Sequence, residues 1–232
     1  SANMKLGIMQ PYFLPYIGYW QLINAVDKYV IYDDVNFINK SWINRNNILL
    51  NGNKHQINLL LTEASQNKLI NQVAIQDNQT KLIRTIEMNY KKAPMFQQVF
   101  PLFLHIMEYP DKNLAKFIGN SIVEISKYLS IETEFIYSST LDKDNTLRAQ
   151  DKILNICKLL NANKYINAIG GADLYSKDDF NKVGIELSFL ETKIEPYKQF
   201  KNEFVPYLSL LDVMMFNDVE SINIMFNKYN LI

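Results

Sequence analysis

The sequence has little of what several classes of protein require. Its 232 residues include one cysteine, two histidines and seven glycines, and acidic and basic side chains balance at 24 each. One cysteine cannot form an internal disulfide, and two distant histidines cannot build a histidine-rich metal site, so no metal site is predicted. A net charge of zero provides no overall attraction for nucleic acid or an anionic membrane, although it is compatible with a local basic patch.

Targeting and nucleotide signatures are missing as well. No apolar run approaches the roughly 20 residues that span a bilayer, so no membrane insertion is expected. No basic segment followed by an apolar one precedes the first predicted strand, and with the single cysteine this predicts a cytoplasmic protein. Residues 1–3, which precede Met4, are expected to be a cloning remnant. The sequence contains neither a P-loop nor a G-x-G-x-x-G motif.

What is present is an alternation of short apolar strands and amphipathic helices. A strand over Lys5–Met9, a helix from near Tyr16 to Val26 and a strand over Lys28–Asp33 predict a parallel βαβ unit. Asn51-Gly52-Asn53 separates two apolar-rich arms, which predicts a β-hairpin within an insertion over residues 38–78.

The remaining elements continue the alternation. Helices are predicted at 80–90, 95–107 (with a kink at Pro101), 114–129, 148–160, 207–216 and 219–228, a helix or turn at 173–182, and strands at 134–138, 165–169 and 185–190. The sequence therefore predicts one α/β domain over residues 4–232. Its core is a mostly parallel open sheet of the nucleotidylyltransferase or Rossmann-like type, with the hairpin insertion and additional helices.

The first candidate site is the elbow at residues 8–19, where a strand turns into a helix. Pro11 and Pro15 stiffen the turn, and Gly18 allows backbone or ligand to approach the first turn of the helix. Because a helix N-terminus attracts anions, we expect a ligand site here. Gln10 and Tyr16 are the candidate catalytic residues, and Gly18 and Tyr19 the candidate binding residues. The alternative is a rigid aromatic turn that plugs one end of the sheet.

The second candidate site follows the second predicted strand. Asp33 and Asp34 are candidate catalytic carboxylates, with Asp33 expected to face the cleft because it shares a strand side with Tyr29 and Ile31. The substrate- or phosphate-binding candidates that follow them are Lys40, Trp42, Asn44 and Arg45. The alternative is a solvated polar loop anchored by one tryptophan.

The third candidate site follows the strand at 165–169. Gly170 and Gly171 allow backbone N–H groups to approach an anion, and Asp173 and Tyr175 follow as further binding candidates. A tight turn alone is the simpler explanation of two consecutive glycines. Since each of these segments ends a predicted strand, we expect Gln10, Tyr16, Asp33, Arg45 and Gly170 to converge on one cleft at the carboxyl edge of the sheet.

These segments resemble the WbqC-like family of bacterial proteins. The resemblance is carried by Gln10-Pro11, Pro15-Tyr16, Gly18-Tyr19, Asp33-Asp34, Trp42-x-Asn44-Arg45-Asn46, Gly170, Asp173-x-Tyr175 and Tyr207-Leu208-Ser209-x-Leu211-Asp212. The family is associated with gene clusters for O-antigen and other surface polysaccharides. The resemblance therefore implies a pathway more firmly than a reaction.

A more distant similarity links the elbow to nucleotidylyltransferases and related adenylate-forming enzymes. In those enzymes a His-x-Gly-His motif opens the first helix; here Gly18 is retained, and Tyr16 and Tyr19 stand where the histidines would be. Tyrosine hydroxyls stabilise a phosphorane-like transition state less well than histidine does. The similarity therefore supports a shared fold more strongly than a shared activity.

Three functions remain open from the sequence. The first is an enzyme that transfers an acyl or aminoacyl group to the amine of an amino sugar, with a nucleotide-linked sugar and an activated donor (a carrier or an aminoacyl-tRNA) as partners. The second is a nucleotidylyltransferase or adenylate-forming ligase, which would use ATP with Mg²⁺ if an adenylate is formed. The third is a non-catalytic protein that binds a glycan or a partner. The oligomeric state stays open.

Overall fold

The computed structural model describes residues 3–232 as a mixed α/β structure. Its strands are β1 (Lys5–Met9), β2 (Lys28–Ile31), β3 (Arg45–Leu50), β4 (Asn53–Asn58), β5 (Leu61–Thr62), β6 (Ala74–Ile75), β7 (Glu134–Tyr137), β8 (Lys164–Ala168), β9 (Glu186–Thr192) and β10 (Tyr229–Leu231). Its α-helices are α1 (Ile17–Ala25), α2 (Thr80–Tyr90), α3 (Phe96–Met107), α4 (Leu114–Tyr128), α5 (Ala149–Leu159), α6 (Lys177–Lys182), α7 (Leu210–Phe216) and α8 (Val219–Met225).

The main sheet has six strands in the order β10-β9-β8-β1-β2-β7, and only β10 runs antiparallel to its neighbour. From β1 the chain builds outward through β2 and β7, and then returns to the other side of β1 to add β8 and β9. The strand order therefore reverses between β1 and β8. In open parallel sheets such a reversal opens a crevice beyond the carboxyl ends of the two strands.

Helices cover both faces of this sheet. Leu6 and Ile8 of β1 pack in a cluster with Ile153 of α5 and Phe180 of α6. Residues that point the other way, such as Ile31, join the larger core formed with α1 and α4. The central strands are buried on both sides, which explains why they appear in the sequence as continuous apolar runs.

The antiparallel hairpin of β3 and β4 packs against the larger core. Its turn consists of Asn51 (φ 49°) and Gly52 (φ 79°), and two successive positive φ values are typical of the tight hairpin turn that an Asn-Gly pair favours. Ile48 and Ile57, on the inner face of the hairpin, are buried in the same core as α1. The hairpin predicted from Asn51-Gly52 is confirmed.

Some features differ from, or fall outside, the sequence predictions. The antiparallel edge strand β10 was not predicted, because it is only three residues long and mostly exposed. Helix α3 is one continuous element that contains Pro101, and the kink predicted at this proline stays a prediction. The cloning remnant expected at residues 1–3 lies mostly outside the described residues. Among residues 3–232, no helix combines the length and apolar character needed to cross a bilayer.

Candidate functional site

A cleft of about 500 Å³ opens where β1 and β8 end, at the reversal of strand order. The side chains of Met9 and Leu190 form part of its floor and walls, and Ile38 and Leu174 contribute exposed apolar surface. Its polar lining comes from Gln10, Tyr12, Tyr16, Tyr32, Asn167 and Tyr175. No aspartate, glutamate, lysine, arginine or histidine lines it. The cleft therefore offers neutral hydrogen-bonding groups and aromatic faces.

The structure brings half of the candidate residues from the sequence to this cleft. The ones that line it are Gln10, Tyr16, Gly18, Tyr19, Gly170, Gly171 and Tyr175. Those that do not line it are Asp33, Asp34, Lys40, Trp42, Asn44, Arg45 and Asp173. The uncharged candidates thus meet at the cleft, except for Trp42 and Asn44, and the charged ones lie elsewhere.

The hairpin holds one side of the elbow between β1 and α1. The backbone N–H of Phe13 donates to the carbonyl of Ile43 at 3.1 Å. In return, the buried Asn46 amide donates to the carbonyl of Phe13 at 3.2 Å. The Asn46 of the Trp42-x-Asn44-Arg45-Asn46 motif therefore has a structural function: it shapes the elbow from the neighbouring hairpin.

The segment before α7 holds the other side of the elbow. Ser209 donates through its hydroxyl to the carbonyl of Leu14 at 2.6 Å, and the N–H of Leu210 donates to the carbonyl of Pro15 at 2.9 Å. The indole of Trp20 also donates to Pro15, at 3.1 Å. These bonds hold Leu14 at φ 48°, a left-handed conformation that is uncommon for a leucine. Such locally strained backbone is frequent at ligand sites.

Asp212, which completes the Tyr207–Asp212 motif, anchors α7 from within the core. Its fully buried carboxylate accepts hydrogen bonds from the Tyr90 hydroxyl at 2.6 Å, the Tyr197 hydroxyl at 2.7 Å and the Gln199 amide at 2.9 Å. Burial raises the pKa of Asp212, and the three donors lower it in part. Asp212 therefore fixes the helix whose first residues hold the elbow.

Gly18 is required by the close packing at the start of α1. A Cβ atom at this position would lie 2.4 Å from the Tyr16 hydroxyl and 2.5 Å from the Thr192 hydroxyl. The Tyr16 ring therefore lies over the first turn of α1, whose N-terminus has no side-chain cap and no acidic residue. Backbone N–H groups of an uncapped first turn need acceptors, and a ligand anion can supply them.

The hydroxyl groups of Tyr19 and Tyr16 differ in their hydrogen bonding. The Tyr19 hydroxyl donates to the backbone carbonyl of Gln10 at 2.7 Å, and its ring is 4% exposed. Burial raises the pKa of Tyr19 far above its usual range, so the hydroxyl stays neutral. The hydroxyl of Tyr16 forms no hydrogen bond with the rest of the described chain, and therefore remains free to bind a ligand.

Four polar side chains in the cleft have no hydrogen-bond partner within residues 3–232. They are Gln10, Tyr12, Tyr16 and Tyr32. Burial raises the pKa of the Tyr12 and Tyr32 hydroxyls, with the nearby Asp34 adding to the effect at Tyr32. Neutral tyrosines donate and accept hydrogen bonds but do not serve as bases near neutral pH. The arrangement is suited to recognising hydroxyl, amide or sugar groups.

Asp33 and Asp34 serve a different purpose at the end of β2. Asp33 is 1% exposed and accepts hydrogen bonds from the N–H (2.9 Å) and hydroxyl (2.5 Å) of Ser139. Asp34 forms an ion pair with the buried Lys143, whose ammonium also donates to the carbonyl of Ser138 at 2.8 Å. Both acids thus tie β2 to the segment that follows β7. Asp33 faces Ser139, whereas we expected it to face the cleft.

The remaining candidates hold their own loops or lie at the surface. The Arg45 guanidinium donates to the carbonyls of Lys40 and Ser41, and the Asn44 amide to that of Leu59 at 3.1 Å. Trp42 is half exposed, and Asp173 lies exposed in the short 3₁₀ segment Ile169–Leu174.

Sequence reasoning missed three polar lining residues, Tyr12, Tyr32 and Asn167. Asn167 is 6% exposed near the end of β8, and a Cβ at Gly171 would lie 3.1 Å from its amide nitrogen. The available signal was an amide within the otherwise apolar end of a buried strand, just before two glycines. Tyr12 and Tyr32 carried no comparable signal, because tyrosines occur throughout this sequence.

Comparison with known proteins agrees with the motifs described above. The chain is 25% identical over 215 residues to the uncharacterized protein Rv1507c of Mycobacterium tuberculosis, a match that covers 90% of this chain and 92% of that protein. No solved structure matches the chain. The model of the WbqC-like protein family matches residues 10–224, from the elbow through α7 and into α8. The chain therefore belongs to the WbqC-like protein family.

Proposed function

We propose that this protein is an enzyme of bacterial surface-polysaccharide assembly. In the proposed reaction, a nucleotide-linked amino sugar binds in the cleft and receives an acyl or aminoacyl group on its amine. One observation carries the proposal: the cleft at the reversal of strand order is lined by neutral polar side chains, four of which have no partner in the described chain. The resemblance to the WbqC-like family supports the pathway.

The lining matches the chemistry of a sugar. Sugar hydroxyls both donate and accept hydrogen bonds, as do the amide of Gln10 and the hydroxyls of Tyr12 and Tyr32. Aromatic rings provide flat faces for the apolar side of a sugar ring or for a base. A volume of about 500 Å³ lies within the range of roughly 300–1,000 Å³ that is typical of small-molecule sites.

The start of α1 supports binding of the diphosphate. Its first-turn N–H groups have no side-chain cap, and the helix dipole adds partial positive charge at the same end. Gly18 has no side chain of its own, and the hydroxyls of Tyr16 and Thr192 lie beside its Cα. The diphosphate of a nucleotide-linked sugar at this position would leave the sugar ring near Gln10 and Tyr16.

Acyl transfer forms an N–C bond between the sugar amine and the donor carbonyl, and breaks the bond from that carbonyl to its leaving group. The amine loses one proton, and the leaving group gains one. Since no carboxylate lines the cleft, the leaving oxygen or sulfur of the activated donor is the natural proton acceptor. The acids Asp33 and Asp34, occupied by Ser139 and Lys143, are not needed for this step.

Binding is tested by titrating the protein with nucleotide-diphosphate sugars while its melting temperature is recorded. A ligand at 100 times its Kd should add about 2.7 kcal/mol to the free energy of unfolding. Gln10→Ala should weaken binding at least tenfold, whereas Gln98→Ala on the exposed side of α3 should leave it unchanged. Equal affinity of the two variants, or binding of no nucleotide sugar, would contradict the proposal.

Turnover distinguishes this function from its two alternatives. Acyl transfer gives an amide product detectable by mass spectrometry. The strand order also suits a nucleotidylyltransferase, but the Tyr19 hydroxyl at the second histidine position is bonded to Gln10 within the protein. Release of pyrophosphate from a nucleoside triphosphate would establish that alternative. Binding of a nucleotide sugar with no turnover in the presence of activated donors would establish a non-catalytic binding protein.

A further inference from the structure

The segment that contains the β3–β4 hairpin has an unusual charge composition. From Val35 to Thr62 the sequence contains the cations Lys40, Arg45 and Lys54 and no aspartate or glutamate. The same segment is rich in asparagine. The chain as a whole has equal numbers of acidic and basic residues, so this region departs locally from the balance.

Helix α2 extends the same charge. Its exposed positions include Lys81, Arg84 and Met88, and Glu87 is its one acidic residue. The two lysines that follow the helix, Lys91 and Lys92, are also exposed. A helix that presents mainly cations to solvent favours an anionic partner.

The hairpin and α2 face each other across a groove of about 260 Å³. The groove is lined by His55, Gln56 and Asn58 of β4 and by Lys81 and Thr85 of α2. A second depression, which shares Leu60, Lys81 and Thr85 with it, extends the surface to Asn78, Arg84 and Met88. We call these two depressions the hairpin–α2 groove. In the two-stranded sheet β3–β4, the strand β4 has no second strand neighbour.

The cations of the hairpin–α2 groove are not neutralised within the protein. Ion pairs between residues 3–232 involve Lys28, His105, Lys127, Lys143, Lys164 and Lys228. None of them involves Lys81 or Arg84, the two cations that line the groove. Glu87 lies three residues after Arg84 and Asp77 four residues before Lys81, but neither acid forms an ion pair with these cations among the described residues. Unpaired cations bind phosphate groups with release of counterions, and this favours binding to a polyanion.

We propose that the hairpin–α2 groove binds the phosphate backbone of RNA and that the acyl donor of the reaction is an aminoacyl-tRNA. This inference rests on the proposed acyl-transfer function. The amides of Gln56, Asn58 and Asn78 suit ribose hydroxyls and base edges, and Met88 is 72% exposed and offers an apolar contact to a base. A membrane-binding surface would instead combine its cations with exposed tryptophan or phenylalanine, and neither lines this groove.

The chemistry of such a donor agrees with the uncharged cleft. The sugar amine attacks the ester carbonyl of the aminoacyl-tRNA, an N–C bond forms and the C–O bond to the terminal ribose breaks. The ribose hydroxyl that leaves takes the proton that the amine gives up. The insertion that carries the groove also contributes Ile38 to the cleft, so one segment of chain contacts both proposed substrates.

The test measures the affinity of fluorescein-labelled transfer RNA by fluorescence anisotropy at several salt concentrations. The variant Lys81→Glu/Arg84→Glu should bind at least tenfold more weakly than the unsubstituted protein. The control Lys158→Glu/Lys182→Glu reverses two exposed cations on α5 and α6 and should bind within twofold of it. The variant Lys81→Gln/Arg84→Gln removes both charges without reversing them; it should weaken binding and reduce the slope of log K against log salt by about 1.4 to 1.8.

Three results would overturn the inference. The first is an equal loss of RNA affinity in the two charge-reversal variants. The second is RNA binding that does not depend on the salt concentration. The third is binding to phosphatidylserine vesicles that is as strong as RNA binding and depends on Lys81 and Arg84 to the same extent. Melting temperatures of the variants verify that they are folded.

Nucleotide-sugar binding, measured on the same variants, separates this inference from the proposed function. If the unsubstituted protein bound no transfer RNA but did bind a nucleotide sugar and transferred an acyl group from a small activated donor, this inference would fail and the proposed function would stand. Retained RNA binding with no sugar binding in any variant would instead remove the proposed function.

Discussion

Two regions at the same edge of the sheet use their polar residues in opposite ways. Where β1 and β8 end, Gln10, Tyr12 and Tyr16 are neutral, line an open cleft and have no internal partner among the described residues. Where β2 ends, Asp33 and Asp34 are charged and are bonded to Ser139 and Lys143. The more reactive-looking residues thus hold the fold together, and the neutral ones are available to a ligand.

The difference follows from the cost of burying charge. A carboxylate in the interior must be paired and hydrogen-bonded, or it destabilises the protein by several kcal/mol. Ser139 occupies both carboxylate oxygens of Asp33, and Lys143 pairs with Oδ2 of Asp34. The other Asp34 oxygen, Oδ1, has no hydrogen-bond partner among the described residues, but it is buried away from solvent. A neutral amide or phenol at the wall of a cleft needs no such partner, because water or a ligand can bind it.

Breaking the buried ion pair should have the largest effect on stability. Lys143→Met leaves the Asp34 carboxylate without its partner and should lower the free energy of unfolding by about 3–5 kcal/mol in urea titrations. The double variant Lys143→Met/Asp34→Leu should recover most of this loss. Lys28→Met, which breaks the exposed pair with Glu134, should cost about 1 kcal/mol or less. Equal losses of stability in Lys143→Met and Lys28→Met would show that the Asp34–Lys143 ion pair is not buried at the end of β2 as described.

Removing Asp33 should have the next largest effect. Asp33→Ala leaves the N–H and hydroxyl of Ser139 without their acceptor and should lower the free energy of unfolding by about 3 kcal/mol. Asp33→Asn keeps one acceptor oxygen and should cost less. Asp142→Ala, at an exposed position on the same connecting segment, serves as the control and should change stability by about 0.5 kcal/mol or less. Unchanged stability in Asp33→Ala would remove the proposed clamp between β2 and the segment after β7.

Substitution of a residue that lines the cleft should leave stability nearly unchanged. Gln10→Ala removes no internal hydrogen bond and should change the free energy of unfolding by about 0.5 kcal/mol or less, although it weakens ligand binding. A loss of more than about 2 kcal/mol in chemical denaturation would mean that Gln10 is structural, in the same sense as Asp33. The comparison between the two strand ends would then fail.

The smallest expected effect is on the reactivity of Cys157, which tests how far the cleft extends into the core. Cys157 of α5 is fully buried in the same core cluster as Ile153, which lines the cleft, and burial raises the pKa of its thiol to about 12. The native protein should therefore react very slowly with a thiol reagent at pH 8, because almost no thiolate is present or accessible. In guanidinium chloride the single thiol should react completely. Rapid reaction of Cys157 in the native protein would indicate that the cleft reaches the core around α5.

Much of the fold was predictable from local sequence patterns. The strand over Lys5–Met9 has the predicted bounds, and the Asn51-Gly52 turn produces the predicted hairpin. These features depend on the periodic placement of apolar residues and on backbone preferences, and both are determined by residues that are close together in the sequence. The edge strand β10 and the pair β5–β6 were not predicted, because two- or three-residue strands carry no period of their own.

The candidate site was predictable in its position but only partly in its composition. Gln10, Tyr16 and Gly170 lie where strands end, and the carboxyl edge of a parallel sheet was the expected location. Asp33 shares that edge yet is bonded to Ser139, a residue 106 positions further along the chain. Which acid acquires a distant partner depends on tertiary contacts that a local pattern does not contain.

The sequence by itself determined the alternation of strands and helices, the hairpin turn, the motifs of the WbqC-like family and the acid-free segment from Val35 to Thr62. Only the tertiary structure decided the order of the strands, which places the reversal between β1 and β8 and so opens the cleft there. It also decided that Lys143 would neutralise Asp34 while Gln10 stayed free. The physical reason is that hydrogen bonds and ion pairs act between neighbours in space, and folding brings together residues that the sequence separates.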